Sequence, residues 1–342
     1  MAVEAKTWLV LSLVFLAASC MQHFVYGEPR VPCLFIFGDS LSDSGNNNHL
    51  PTTAKCNYRP YGIDFPTGPT GRFTNGRTTI DIITQFLGFE NFIPPFANTS
   101  GSDILKGVNY ASGGAGIRAE TGAHSGGTIS LRWQLANHRV IVSQIANRLG
   151  SPEKAQQYFE KCLYPLKFSV SQMIRKTILA HHVNMKSNEN VTGCTPNAIY
   201  TRGENGSCVE EMNAVPFIFN KGLKSLVDSL NNKFSANSKF TFIKRSSQAI
   251  DSRGFLVSKA ACCSSGLHRG CVPDQIPCCD RNEYVFWDEF HPTEAWNLHI
   301  AIASYNNSAH TYPMNIKQLV DHEIKMELEF TNESIPQLSA TK

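Results

Sequence analysis

Apolar residues in this chain come in two arrangements, short unbroken runs that stop at glycine or asparagine and longer stretches repeating at helical spacing. Phe35, Ile36 and Phe37 lead straight into Gly38-Asp39-Ser40, the pattern of a short buried strand ending in a turn. A second such strand is predicted at residues 107–110, breaking into the glycine turn Ser112-Gly113-Gly114-Ala115-Gly116. Between them, residues 59–73 are so punctuated by proline and glycine that they read as an ordered loop over the sheet edge.

Helical spacing appears first at residues 78–87, with Ile80, Ile83, Phe86 and Leu87 on one face, and again at residues 131–149. Phe219, Leu223, Leu226, Val227 and Leu230 form a third stripe, interrupted upstream by Pro216. An interior proline costs about 3 kcal/mol, so this helix is expected to start at Pro216. A last helix should follow Pro292, with Pro292 at its first position, Glu294 in its first turn and Leu298, Ile300, Ala301 and Ile302 as its apolar face.

Composition adds the compartment. Lys6 precedes the apolar run at residues 8–18, and a cleavage point follows at Val25-Tyr26-Gly27, so residues 1–27 read as a secretory signal peptide. The run is shorter than the roughly 18 residues of a spanning helix, and no later stretch reaches that length. The domain would then occupy residues 28–320, with 321–342 as a tail. Of 11 cysteines, losing Cys20 with the leader leaves an even number, most of them expected as disulfides in an oxidising compartment. Cys262, Cys263, Cys271, Cys278 and Cys279 crowd together with His268, but without a Cys-x-x-Cys pair disulfides are favoured over zinc. Asn98, Asn190, Asn205, Asn306 and Asn332 each begin a glycosylation sequon. A net charge of +3 with no basic run gives no reason to expect a nucleic-acid partner.

The candidate chemistry centres on Ser40, which stands where open α/β sheets place reactive groups. Gly-Asp-Ser is equally good turn and cap chemistry, so the serine needs a base and the base an orienting carboxylate before it counts as a nucleophile. Asp288-x-x-His291 supplies both from one short loop. Glycines at 113 and 114 let backbone N–H groups approach a ligand oxygen, as an oxyanion site requires. The dinucleotide spacing and a Walker lysine are missing there.

Residues 37–48, the segment from Pro60-Tyr61-Gly62 to Asn75-Gly76-Arg77, residues 109–116, and Asp288 to Glu294 together resemble blocks of the plant GDSL-type esterase/lipase family, within the SGNH hydrolases. The resemblance implies a three-layer α/β/α fold with a mostly parallel, five-stranded sheet, and hydrolysis of lipid or related acyl esters with neither cofactor nor metal. It assigns Ser40 as nucleophile, His291 as general base and then acid, and Asp288 as the supporting carboxylate. The oxyanion hole would take the N–H of Ser40 and one from Gly113 or Gly114.

One family block is not recognisable. A third block, Gly-x-Asn-Asp, should fall near residues 165–172, where Ser171 stands at the asparagine position and Gln172 beside it. Resemblance resumes only at Gly193, and residues 181–190 are too polar for a buried parallel strand, so one core strand is expected to be missing across the atypical stretch 165–192. Two readings follow: a secreted ester hydrolase, or an impaired member, such as an aberrant splice product, that only binds an ester or glycan. The sequence leaves the natural substrate and oligomeric state open.

Overall fold

A computed structural model describes residues 28–99, 103–168, 192–234, 238–243, 254–266 and 270–322. The expected signal peptide, Ser171, Gln172, the polar run 181–190, His268, Asn332 and nearly all of the expected tail lie outside these residues. In chain order the strands are β1 (Leu34–Gly38), β2 (Gly107–Asn109), β3 (Leu166–Lys167), β4 (Phe242–Ile243), β5 (Val257–Ala261), β6 (Tyr284–Phe286) and β7 (Thr311–Tyr312). The helices are α1 (Thr79–Phe86), α2 (Leu131–Leu149), α3 (Pro152–Glu160), α4 (Pro196–Arg202), α5 (Glu210–Lys233) and α6 (Glu294–Asn306). Among the described residues no helix is long and apolar enough to cross a membrane.

β1 is buried at all five positions. Successive side chains of a strand point to opposite faces, and β1 uses both. Leu34 and Ile36 pack with Ile80, Ile83, Ala301 and Tyr305 of α1 and α6. Phe35 and Phe37 pack with Val108, Tyr110, Ile141 and Ile145 toward α2. Helices on both faces of a parallel sheet make the three layers. The second cluster also encloses His138, whose ring meets Phe35 and Phe37 edge-on and whose burial lowers its pKa to about 4.

The parallel sheet has the order β2-β1-β3, with Ile36 opposite Asn109 and Phe37 opposite Leu166. β5 and β6 form a separate parallel pair, and β4 pairs antiparallel with β7. Among the described residues the parallel bonding is therefore divided rather than continuous over five strands. Along the apolar stripe of α5, Val227 is buried whereas Leu226 remains 51% exposed.

Two expected helix boundaries are corrected. α5 begins at Glu210 and runs through Pro216. Its first turns are anchored from outside: Asn213 Oδ1 accepts the Gly193 N–H, the Val209 N–H donates to the Gly193 carbonyl, and the Cys194–Cys208 disulfide closes the same corner. These contacts offset the bond that Pro216 cannot donate. α6 starts after the cap Thr293, whose side chain accepts the Trp296 N–H, so Pro292 stands outside it. Its buried face is Trp296, Asn297, Ala301, Ser304 and Tyr305, while Leu298 and Ile302 are exposed. Helix α2 has the expected bounds and α1 lies within one residue of them, α1 opening on a capping box between Thr78 and Asp81.

Disulfides join Cys33 to Cys162, Cys262 to Cys278 and Cys263 to Cys271 besides Cys194 to Cys208, leaving Cys56 and Cys279 as thiols among the described residues. Asn98, Asn205 and Asn306 are exposed.

Arg72 locks the Pro/Gly-rich loop onto α1. Its guanidinium forks onto both oxygens of Asp81 at 2.8 Å, buried on both sides, and stacks on Phe65. Burial would raise the Asp81 carboxyl, but the Arg72 charge and hydrogen bonds hold it below the usual value. Removing one partner strands the other charge, so Arg72→Met should lower unfolding free energy in urea by about 3–5 kcal/mol. Arg72→Met combined with Asp81→Asn should recover part of the loss, and a single variant as stable as wild type would contradict the assignment.

Candidate active site

Ser40 sits two residues beyond the end of β1, where the chain must turn at once. Gly38 makes that exit feasible, because a Cβ there would lie 2.3 Å from the Lys167 carbonyl oxygen of β3. The buried Gln134 side chain of α2 closes the strand end, accepting the Gly38 N–H at 3.0 Å and donating to its carbonyl at 2.8 Å. Asp39 then organises the turn: its side chain accepts the Leu41 N–H, and its carbonyl accepts those of Ser42 and Asp43.

Polar residues after the serine hold the glycine turn against it. Asp43 accepts the N–H groups of Gly45 and Asn46 on one oxygen and of Gly113 on the other, each at 2.8 Å. Asn46 donates to the carbonyls of Asn109 and Ala111, and Asn47 donates to that of Gly113 while accepting the Ser112 hydroxyl. Gly113 N–H is thus committed to Asp43. Those of Ser40 and Gly114 have no partner among the described residues. Gly114, at φ +78°, lies in the left-handed region that favours glycine.

The loop after β6 brings the remaining groups. Asp288 Oδ1 accepts the N–H groups of Phe290 and His291, curling the loop back on itself. His291 Nδ1 then stands 2.7 Å from Asp288 Oδ2, and Nε2 stands 2.8 Å from Ser40 Oγ. The Phe73 ring packs on the imidazole at 4.9 Å. Asp288 is buried, which alone would raise its pKa. The His291 charge and hydrogen bond, with those from Tyr61 and Phe290, more than offset this and hold the carboxyl below its usual value.

Outer contacts fix the loop from both sides. Asn197, at the start of α4, donates its side-chain amide to Glu289 at 3.0 Å and its backbone N–H to the Glu289 carbonyl. Arg77 donates its backbone N–H and its guanidinium to Glu294, at 2.6 and 2.9 Å, and Asn75 accepts the Glu294 N–H. The segment Asn75-Gly76-Arg77 thereby seats the first turn of α6 beside the site.

Ser40 and His291 open onto a cavity of about 2250 Å³ with mainly apolar walls, which include Phe73, Leu166, Leu223, Val227, Phe290 and Trp296. It extends alongside β3 to the stripe of α5. Trp296, on the helix following His291, packs edge-on against Phe255 at 5.0 Å.

Gln134, Asn46, Asn47 and Tyr61 carry parts of this geometry that side-chain patterning alone does not announce. The one available signal was a polar residue breaking an apolar helical face, as Gln134 does.

Comparison with known proteins places this arrangement in context. The family model for GDSL-like Lipase/Acylhydrolase matches residues 34–303. An Arabidopsis thaliana protein named as a GDSL esterase/lipase is 40% identical over 360 residues, covering 92% of this chain and 99% of its own length. A second of the same name and organism is 41% identical over 359 residues, covering 92% and 98%. Both alignments are longer than the part of this chain they take in, so the relatives carry residues that face gaps here.

Asp43 gives the site a pH signature. Burial raises its carboxyl from 3.8 to about 6, against the N–H groups of Gly45, Gly113 and Asn46. Between about pH 4 and 6 the folded protein therefore binds more protons than the unfolded chain, and the Asp43 contribution makes stability fall as pH rises through that window. Melting temperatures of wild type and Asp43→Asn from pH 4 to 6.5 should show wild type losing ground to the variant as pH increases. A pH-independent difference would contradict the raised carboxyl.

Proposed function

Because the chain belongs to the GDSL-like lipase/acylhydrolase family, we propose that it is a secreted carboxylic ester hydrolase working through Ser40, His291 and Asp288. The observation that carries this reading is the 2.8 Å hydrogen bond from Ser40 Oγ to His291 Nε2, backed by Asp288 on Nδ1. A serine hydroxyl at its ordinary pKa is a poor nucleophile, and an imidazole that takes its proton during attack removes that handicap.

Ser40 Oγ attacks the ester carbonyl carbon while its proton passes to His291 Nε2. Asp288 keeps the Nδ1 proton in place and stabilises the imidazolium. The N–H groups of Ser40 and Gly114 receive the developing oxyanion; Gly113 is the weaker candidate because its N–H already serves Asp43. His291 returns the proton to the departing alcohol, leaving Ser40 acylated. A water molecule then attacks with His291 again as base, releasing the acid and restoring Ser40.

The apolar cavity exceeds the roughly 300–1,000 Å³ of a typical small-ligand pocket and suits the acyl part of a lipid-like ester. Four disulfides, three exposed sequons and the N-terminal leader support a secreted protein. A second reading, a member that binds an ester or glycan without turning it over, is favoured by the residues that relatives carry opposite gaps in this chain. Losing one oxyanion donor costs about 10²- to 10³-fold in turnover, so a missing asparagine alone slows the reaction without abolishing it.

Hydrolysis of p-nitrophenyl esters by the secreted protein separates the readings. Ser40→Ala and His291→Ala should abolish catalysed turnover, and Asp288→Asn should lower kcat by about 10⁴-fold with little change in melting temperature. Folded wild-type protein without turnover would favour the second reading, and an Asp288→Asn variant as active as wild type would reject the role of the carboxylate.

A further inference from the structure

We infer that Tyr61 is a positioning residue for Asp288, a fourth member of the relay contributed by the Pro/Gly-rich loop. The inference rests on the hydrolase reading, and it starts from a contact between residues 227 positions apart: Tyr61 Oη donates to Asp288 Oδ2 at 2.6 Å, in a buried setting. Oδ2 is the same oxygen that lies 2.7 Å from His291 Nδ1. Oδ1 is occupied by the N–H groups of Phe290 and His291. With Tyr61 in place the carboxylate has no rotation open to it that keeps its bonds.

The phenol is itself held. Its oxygen accepts the Cys271 N–H at 3.2 Å, its ring meets Tyr58 edge-on at 5.3 Å, and the Cys56 thiol lies against it. Cys271 is fixed by its disulfide to Cys263, whose N–H donates to the Trp287 carbonyl, one residue before Asp288. Tyr61 thus spans the disulfide cluster and the carboxylate, so the geometry of one is transmitted to the other. Burial and the Asp288 charge raise the phenol far above its usual pKa, so it stays a donor throughout the working range.

Donation to Oδ2 has a second consequence. A carboxylate that already receives a hydrogen bond is less basic, which leaves the shared proton on the imidazole, where the relay needs it. Tyr61→Phe removes the hydroxyl and keeps the ring. Tyr58→Phe is the matched control, because the Tyr58 hydroxyl donates to the Cys271 carbonyl and so touches the same cluster without bonding Asp288.

The test compares wild type, Tyr61→Phe and Tyr58→Phe by ester kinetics, melting temperature and the downfield proton NMR resonance of the His291 Nδ1–H. Tyr61→Phe should lower kcat about tenfold or more, as loss of a hydrogen bond to a charged group does, with KM within about twofold. The Nδ1–H resonance should broaden away in Tyr61→Phe and persist in Tyr58→Phe. An unchanged kcat with the resonance intact in Tyr61→Phe would overturn the inference and leave the hydrolase reading standing. So would equal losses in both variants, which would mark a purely structural role. Wild-type protein that shows the resonance but no turnover would reject the hydrolase reading, and the NMR comparison would still decide the place of Tyr61. Should Tyr61→Phe melt far below wild type, Tyr61→Met repeats the comparison.

Discussion

A hydrogen bond between residues 251 positions apart, Ser40 Oγ to His291 Nε2, makes the two ends of this domain one chemical unit. It is also the contact least able to hold itself together. Side-chain bonds of this kind contribute on the order of 1 kcal/mol net, far less than the entropy of ordering two distant loops. The positions of both partners must therefore be set by other parts of the molecule. On the serine side, a strand buried on both faces and closed at its end by Gln134 does so. On the histidine side, the loop is pinned by Asp288 within itself, by Asn197 and Glu289 on one flank, and by Arg77 and Glu294 on the other.

Three buried aspartates show how environment divides labour among identical side chains. Asp81 faces a guanidinium, and Asp288 faces an imidazole with a phenol beside it; both are held below the usual carboxylate value despite burial. Asp43 gathers three backbone N–H groups, and burial wins there, raising it to about 6. The first fastens a loop, the second bonds the histidine, and the third ties the glycine turn to the Ser40 turn. An ionisable partner bonded directly to the carboxylate, rather than depth alone, separates the three cases.

Much of this was readable from the chain, for identifiable reasons. β1, α1 and α2 followed from local periodicity because their burial is decided by a single face or a continuous run. The start of α5 was misread because the anchors that carry the helix through Pro216 come from Gly193 and the Cys194–Cys208 corner, which no local propensity contains. The face of α6 was misread because hydroxyl and amide side chains, Asn297 and Ser304, turn inward there while Leu298 and Ile302 face out. Asn297 is accommodated by bonding Thr79 and the Arg77 carbonyl, partners more than 200 residues away. Ser40, Asp288 and His291 were legible as residue types at suggestive positions, but their meeting, and the part of Tyr61, depends on tertiary contacts. Of the third-block region, residues 169–172, with Ser171 and Gln172, lie outside the described residues.

The account stands on Ser40 being an activated nucleophile, and covalent capture reads that directly. The folded protein is treated with a fluorophosphonate, digested, and searched by mass spectrometry for the phosphonylated peptide. A single adduct on Ser40, absent from His291→Ala, is the result the account predicts. Folded protein that takes up no phosphonate, or takes it up equally without His291, would contradict it.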